Sequence, residues 1–233
     1  MALIALCAAA PLCAADITIA PGTGPAGQYY SLSVWGITPI AGMGDNTEKG
    51  YNTPAFNFGG KTFTHLNISS NGYVTMNSPA TSANPQTFPD PTSPNGVLAP
   101  FWTDLDPSQT GAVRIGLLTD GTNTWIVVDW NSVSVHGYAG VTDSFEIWLR
   151  TGGVEDITYS YGSMLGSAGL SSLIGAENIN GTIGATYLGA LPYNSELRVT
   201  TSGGPNLVPE PAGFTMLGLG LSCLGLLRLK KRA

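Results

Sequence analysis

The sequence predicts an all-β chain: an antiparallel two-layer β-sandwich of about ten strands, followed by a single C-terminal transmembrane helix. Three observations lead there. Between residues 16 and 207 no helical apolar period is sustained, and short β-branched and aromatic runs are separated by Gly, Pro, Asn and Asp. Cys7, Cys13 and Cys223 all fall near the two ends, so the intervening body must build its core without disulfides. Finally, Ala212 to Leu227 is apolar and uncharged, and basic residues follow it directly.

Taken in order, Ala2 to Ala15 is apolar and Cys13-Ala14-Ala15 offers a small-x-small cleavage site before Asp16, so residues 1–15 are expected to be a signal peptide. The first strand is expected at Ser31 to Thr38, and the Gly- and Asn-rich stretch Gly42 to Asn52 reads as a loop. Lys61 to Ile68 alternates, with Thr62, Thr64, Leu66 and Ile68 on one face and Phe63, His65 and Asn67 on the other. Asn71-Gly72 tolerates the positive φ of a tight turn, which makes Tyr73 to Met76 the return strand. Five prolines between residues 78 and 96 exclude a central strand and predict an excursion across the surface.

Val97 to Trp102 resumes the sheet. Ala112 to Leu118 and Thr124 to Trp130 flank an Asp120-Gly121 hairpin turn, and Ser144 to Arg150 and Asp156 to Tyr161 come next. Ser172 to Ala176, Thr182 to Leu188 and Glu196 to Thr201 complete the set. No linker-like composition interrupts residues 16–201, which therefore form one domain, and residues 202–211 are the linker.

Several segments in fixed order resemble the nidogen-like extracellular domain and its bacterial relatives. They are Asn57 to Phe63, Asn67 to Thr75, Leu98 to Asp106, Ser144 to Leu149, Ile157 to Gly162 and Ile174 to Gly184. The resemblance implies an extracellular β-sandwich of the kind found in adhesive and matrix proteins. It brings no catalytic residues with it.

Residues 212–233 form the expected transmembrane helix and basic tail. As a helix, Ala212 to Leu227 would span roughly 24 Å, and Leu229 with the stems of Arg228 and Lys230 extends it toward the thickness of a bilayer core. The cluster Arg228, Lys230, Lys231 and Arg232 favours the cytoplasmic side, leaving the body outside. The rigid Val208-Pro209-Glu210-Pro211 motif, the apolar run and the basic end together resemble the PEP-CTERM sorting signal of Gram-negative bacteria. That resemblance implies recognition by an exosortase-type membrane sorting enzyme, a transient stay in the inner membrane, and delivery to the cell surface or extracellular matrix.

Between residues 16 and 207 there are fourteen Asp and Glu against five Lys and Arg, a surface that repels nucleic acid. Candidate chemistry is sparse. Asp104 and Asp106 place two carboxylates in one turn, as for calcium, although the calcium-loop spacing is absent and the competing role is turn capping. His136 precedes Asp143 and Ser144, but no Gly-x-Ser-x-Gly elbow accompanies them. Asp129, Glu146, Glu155 and Glu177 are carboxylates of the type glycosidases use, and nothing in the sequence pairs them. Trp148 shares a strand face with Glu146 and Arg150 and either stacks on a sugar ring or has a structural role, sealing a sheet face or lying under a loop. The expectation is a non-catalytic exported surface or matrix protein with a structural or adhesive role, exopolysaccharide as a partner and no cofactor. The alternatives are a carbohydrate-binding lectin-like module and a secreted polysaccharide hydrolase.

Overall fold

A computed structural model describes residues 16–76, 78–166 and 171–202. Its thirteen strands in chain order are β1 (Asp16–Pro21), β2 (Glu48–Phe58), β3 (Lys61–Ser69), β4 (Val74–Thr75), β5 (Val97–Trp102), β6 (Leu105–Asp106) and β7 (Ala112–Thr119), then β8 (Thr124–Val135), β9 (Thr142–Arg150), β10 (Ile157–Met164), β11 (Leu173–Glu177), β12 (Gly184–Thr186) and β13 (Ser195–Ser202). They form two antiparallel sheets. One runs β1-β13-β10-β9-β8-β6, with β7 also on β8; the other runs β12-β11-β5-β4-β3-β2.

Alternation along each strand sends one set of side chains between the sheets. From the first sheet come Ile126, Val128, Trp130, Phe145, Ile147, Leu149, Ile157, Tyr159 and Tyr161; from the second come Phe56, Phe58, Leu66, Ile68, Leu98 and Ile174. Trp130 stacks on Phe145 with centroids 5.2 Å apart. Polar tips inside this core are satisfied across it. Trp130 Nε1 donates to Ser69 O at 3.0 Å, and the Tyr159 and Tyr161 hydroxyls donate to Gly175 O and Pro100 O, each at 2.8 Å. These bonds tie side chains of the first sheet to the backbone of the second.

Both outer faces are also covered. The proline-rich excursion, residues 78–96, lays Phe88 over Tyr73, Val97, Ala99, Trp102 and Leu173, and Trp102 Nε1 donates to Ser82 O at 2.8 Å. On the other sheet, residues 22–37 form a strap whose Leu32, Ala26 and Ile37 pack on Trp125, Val127 and Trp148.

Some expectations change. The strand expected at Ser31 to Thr38 is a 3-10 turn, Leu32–Trp35. Ser31 caps it by accepting from Ser33 N, and Gly36 closes it with φ 72°, so the segment crosses a sheet face and cannot pair along an edge. The stretch read as a loop, Gly42 to Asn52, contains the start of the long strand β2. The strand expected at Thr182 to Leu188 shortens to β12. Among the described residues no helix is long and apolar enough to cross a membrane. The expected signal peptide, the Val208 to Pro211 motif and the tail with Arg228, Lys230, Lys231 and Arg232 lie outside the described residues.

Candidate functional site

The strap and the sheet beneath it build the main candidate site. Across the outer face of the first sheet, strand register aligns Arg114, Asp129, Glu146, Ser160 and Glu196 in one row over five strands. Asp129, Glu146, Ser160 and Glu196 are buried because the strap covers them. Asp129 accepts from the Tyr29 hydroxyl at 2.9 Å, the Ser31 hydroxyl at 3.1 Å and Leu32 N at 2.9 Å. Glu196 accepts from Gly24 N at 2.6 Å and Ser160 Oγ at 2.8 Å. Tyr29 lies flat enough on Gly162 that a Cβ there would come within 2.8 Å of its ring.

Burial pushes the Asp129 carboxyl up to about 6, against the opposing pull of its donors. Burial and the neighbouring Asp129 charge push Glu146 well above the ordinary carboxylate range. One Glu146 oxygen accepts from Trp148 Nε1 at 3.1 Å, and the other is enclosed without a partner. The structure therefore pairs two carboxylates that sequence alone did not, but it pairs them under the strap, closed to solvent.

Where the strap ends, a groove of about 440 Å³ opens between it and the sheet. Its floor is Trp125 and Trp148, edge to face with centroids 6.3 Å apart, and its rim is Tyr30 and Trp35, edge to face at 6.2 Å. Trp148 is only 5% exposed, so it is not the free surface aromatic that stacking on a sugar ring requires. Its bond to Glu146 holds it as a rigid wall. The exposed aromatic surface belongs to Tyr30 (42%) and Trp35 (50%), beside Leu117 (54%). Trp125 Nε1 faces this region enclosed and without an acceptor. Sequence reading missed Tyr30, Trp35 and Trp125; the aromatic density of Tyr29 to Trp35 was the signal available.

This architecture of paired sheets, strap and excursion has a counterpart among known families. The model of the family described as NIDO related matches residues 25–207, most of the chain. The chain belongs to the NIDO-related family. The matched span begins within the strap, so the groove and its rim aromatics are part of the NIDO-related domain. This is a domain of extracellular type. No curated protein and no solved structure matches the chain.

Elsewhere in the NIDO-related domain, Asp104 and Asp106 part company. Asp106 is spent on its own turn, accepting from Ser108 N at 2.9 Å, Ser108 Oγ at 2.6 Å and Gln109 Nε2 at 2.9 Å. Burial raises its carboxyl, but these donors and nearby His136 outweigh that and hold it below the ordinary range. Asp104 instead meets Asp45 and His136, which the sequence did not connect to it. Burial raises the Asp104 carboxyl; His136 opposes the shift, and the Asp45 and Asp106 carboxylates add to it. The segment His136, Asp143, Ser144 forms no relay. Asp143 accepts from Gly166 N at 2.9 Å, and Ser144 Oγ accepts from Ser132 N at 2.9 Å.

Proposed function

We propose that this chain is a non-catalytic exported protein of the cell surface or extracellular matrix, with a structural or adhesive role, sorted through its Val208 to Pro211 motif and basic tail. Membership of a family of extracellular-type domains supports the compartment. The observation that carries the adhesive reading is the aromatic groove. Tyr30 and Trp35 are the half-exposed aromatics of its rim, and aromatic rings bind the apolar face of sugar rings. A polysaccharide lying along the rim would meet Thr119 and Asp120 as polar neighbours. The lectin-like reading is therefore the molecular form of the adhesive one.

Two experiments test this reading. Binding to immobilised exopolysaccharides should fall at least tenfold in Trp35→Ala and Tyr30→Ala while melting temperature stays within a few degrees. Retention of binding in both variants would sink the groove as the contact, and polysaccharide hydrolysis by the purified chain would overturn the non-catalytic reading. Mass spectrometry of the mature C-terminus, with cell fractionation, tests the sorting. An intact Arg232-Ala233 end in the cytoplasm is the result that defeats it.

A further inference from the structure

Independently of the groove, we propose that Asp45, Asp104 and His136 form a binding site for one divalent transition cation of the zinc or manganese class. Each residue presents one ligand atom, and these atoms all lie within 4.8 Å of one another. They come from three separate places: the turn before β2, the junction of β5 and β6, and the residue directly after β8. His136 Nδ1 stands 3.7 Å from Asp45 Oδ1 and 4.0 Å from Asp106 Oδ2.

The backbone holds this arrangement independently of any charge. His136 N donates to Asp104 O at 2.9 Å, and Leu105 pairs with Val135 just beside them. The buried Asn71 joins the third segment. Its Nδ2 donates to Asn46 Oδ1 at 2.8 Å, next to Asp45, and its Oδ1 accepts from Leu105 N at 2.9 Å, next to Asp104. One amide side chain thus fixes the spacing of two ligands, as outer-shell residues do around metals.

A second observation points to a ligand. Asp104 Oδ1 is enclosed and takes no hydrogen bond from any described residue, while two further carboxylates flank it. Asp104 as a residue is part-buried, but an enclosed carboxylate oxygen without a donor, flanked by two more carboxylates and by His136, is a place where a cation is favoured. The mixed donor set decides the class. Imidazole nitrogen with two carboxylates suits zinc or manganese, whereas calcium takes six to eight oxygens, and Asp106 is already occupied by its turn.

The test is isothermal titration of the purified full-length chain, stripped with chelator, using zinc, manganese and calcium chlorides separately. One equivalent of zinc or manganese should bind more tightly than calcium. His136→Gln and Asp104→Asn should each weaken it at least tenfold, and Asp106→Asn, which keeps the turn-capping oxygen, by less than threefold. His136 is nearly half exposed, so its variant should fold as the parent does, with circular dichroism as the check. Cobalt loading provides a readout apart from affinity: its visible ligand-field bands should appear in the parent and vanish in His136→Gln. The proposal is overturned by the absence of saturable binding, by unchanged titration of His136→Gln, by loss confined to Asp106→Asn, or by a preference for calcium.

Discussion

At the scale of single residues, the groove separates two kinds of tryptophan. Trp148 is enclosed by Trp125, Val127 and Leu32 and bonded to Glu146, so truncating it both empties the volume under the strap and frees a buried carboxylate. Trp148→Ala should cost about 3–5 kcal/mol in chemical denaturation. Trp35 is half exposed, and Trp35→Ala should leave stability within about 0.5 kcal/mol while removing a ring from the rim. The same assay separates the two roles, and equal losses would show that the strap needs Trp35 for its own fold. The sequence placed Trp148 on the correct strand face beside Glu146 and Arg150. It left an exposed stacking ring and a covered one both open, because a face that looks half polar is closed only by a segment from more than a hundred residues earlier. Asp104 was similarly visible as a carboxylate in a turn, whereas its partners Asp45 and His136 are brought to it by tertiary contacts alone.

Among the elements, the strap responds most to pH. Asp129 titrates near 6 in the fold against roughly 3.9 in an unfolded chain, so the fold penalises its charged form. That penalty, a few kcal/mol at most, is complete above about pH 6 and fades as pH falls through 6 toward 4. Glu146 shifts in the same direction. Acidification from pH 8 to pH 5 should therefore hold the strap more firmly, seen as larger hydrogen-exchange protection factors at residues 24–32, after correction for the intrinsic pH dependence of exchange, and a higher melting temperature. Glu146→Gln removes the penalty on ionising that buried carboxyl while keeping an acceptor for Trp148. It should raise the melting temperature at pH 8 and change it little at pH 5. A strap that loosens on acidification contradicts this account. The strap is also the element that sequence rules misjudged. Ser31 to Thr38 has strand-like composition, yet Ser31 caps a 3-10 turn and the segment packs on a sheet face. Propensity records the apolar surface to be buried and does not say whether an edge or a face will bury it. By contrast β3, β5, β7 and β9 lay close to their expected places, because their alternation and flanking turn residues are local signals.

Considered as a whole molecule, the two sheets are joined by dispersion, by a backbone bridge between Phe56 and Thr151 at one margin and, among the described residues, by side-chain hydrogen bonds crossing the core from Trp130, Tyr159 and Tyr161. Tyr159→Phe and Tyr161→Phe should each cost about 1 kcal/mol by equilibrium denaturation, since each leaves an enclosed carbonyl short of a donor. Because Cys7, Cys13 and Cys223 all lie outside the described residues, reductant should leave the melting temperature of the domain unchanged. A downward shift would mean that the end segments contribute a covalent tie. The two layers were legible from the body between the ends, since that many short strands can hide their edges and core in few other ways. The thin outer layers were not, because a proline-rich run and a glycine-rich run announce only that they are not strands.

The pairing of β1 with β13 also has a mechanical meaning. Six registered pairs run from Asp16 opposite Ser202 to Pro21 opposite Leu197, and the strap leaves directly from Pro21. Suppose tension on the strap enters β1 at its Pro21 end, while an attachment through Ser202 holds β13 at its opposite end. The rungs are then loaded together in shear, across hydrogen bonds that lie perpendicular to the strands. Tension between Asp16 and Ser202 would instead peel the same rungs one at a time. A load passed from the strap into β1 is thus met by the stronger of the two geometries that this strand pair provides.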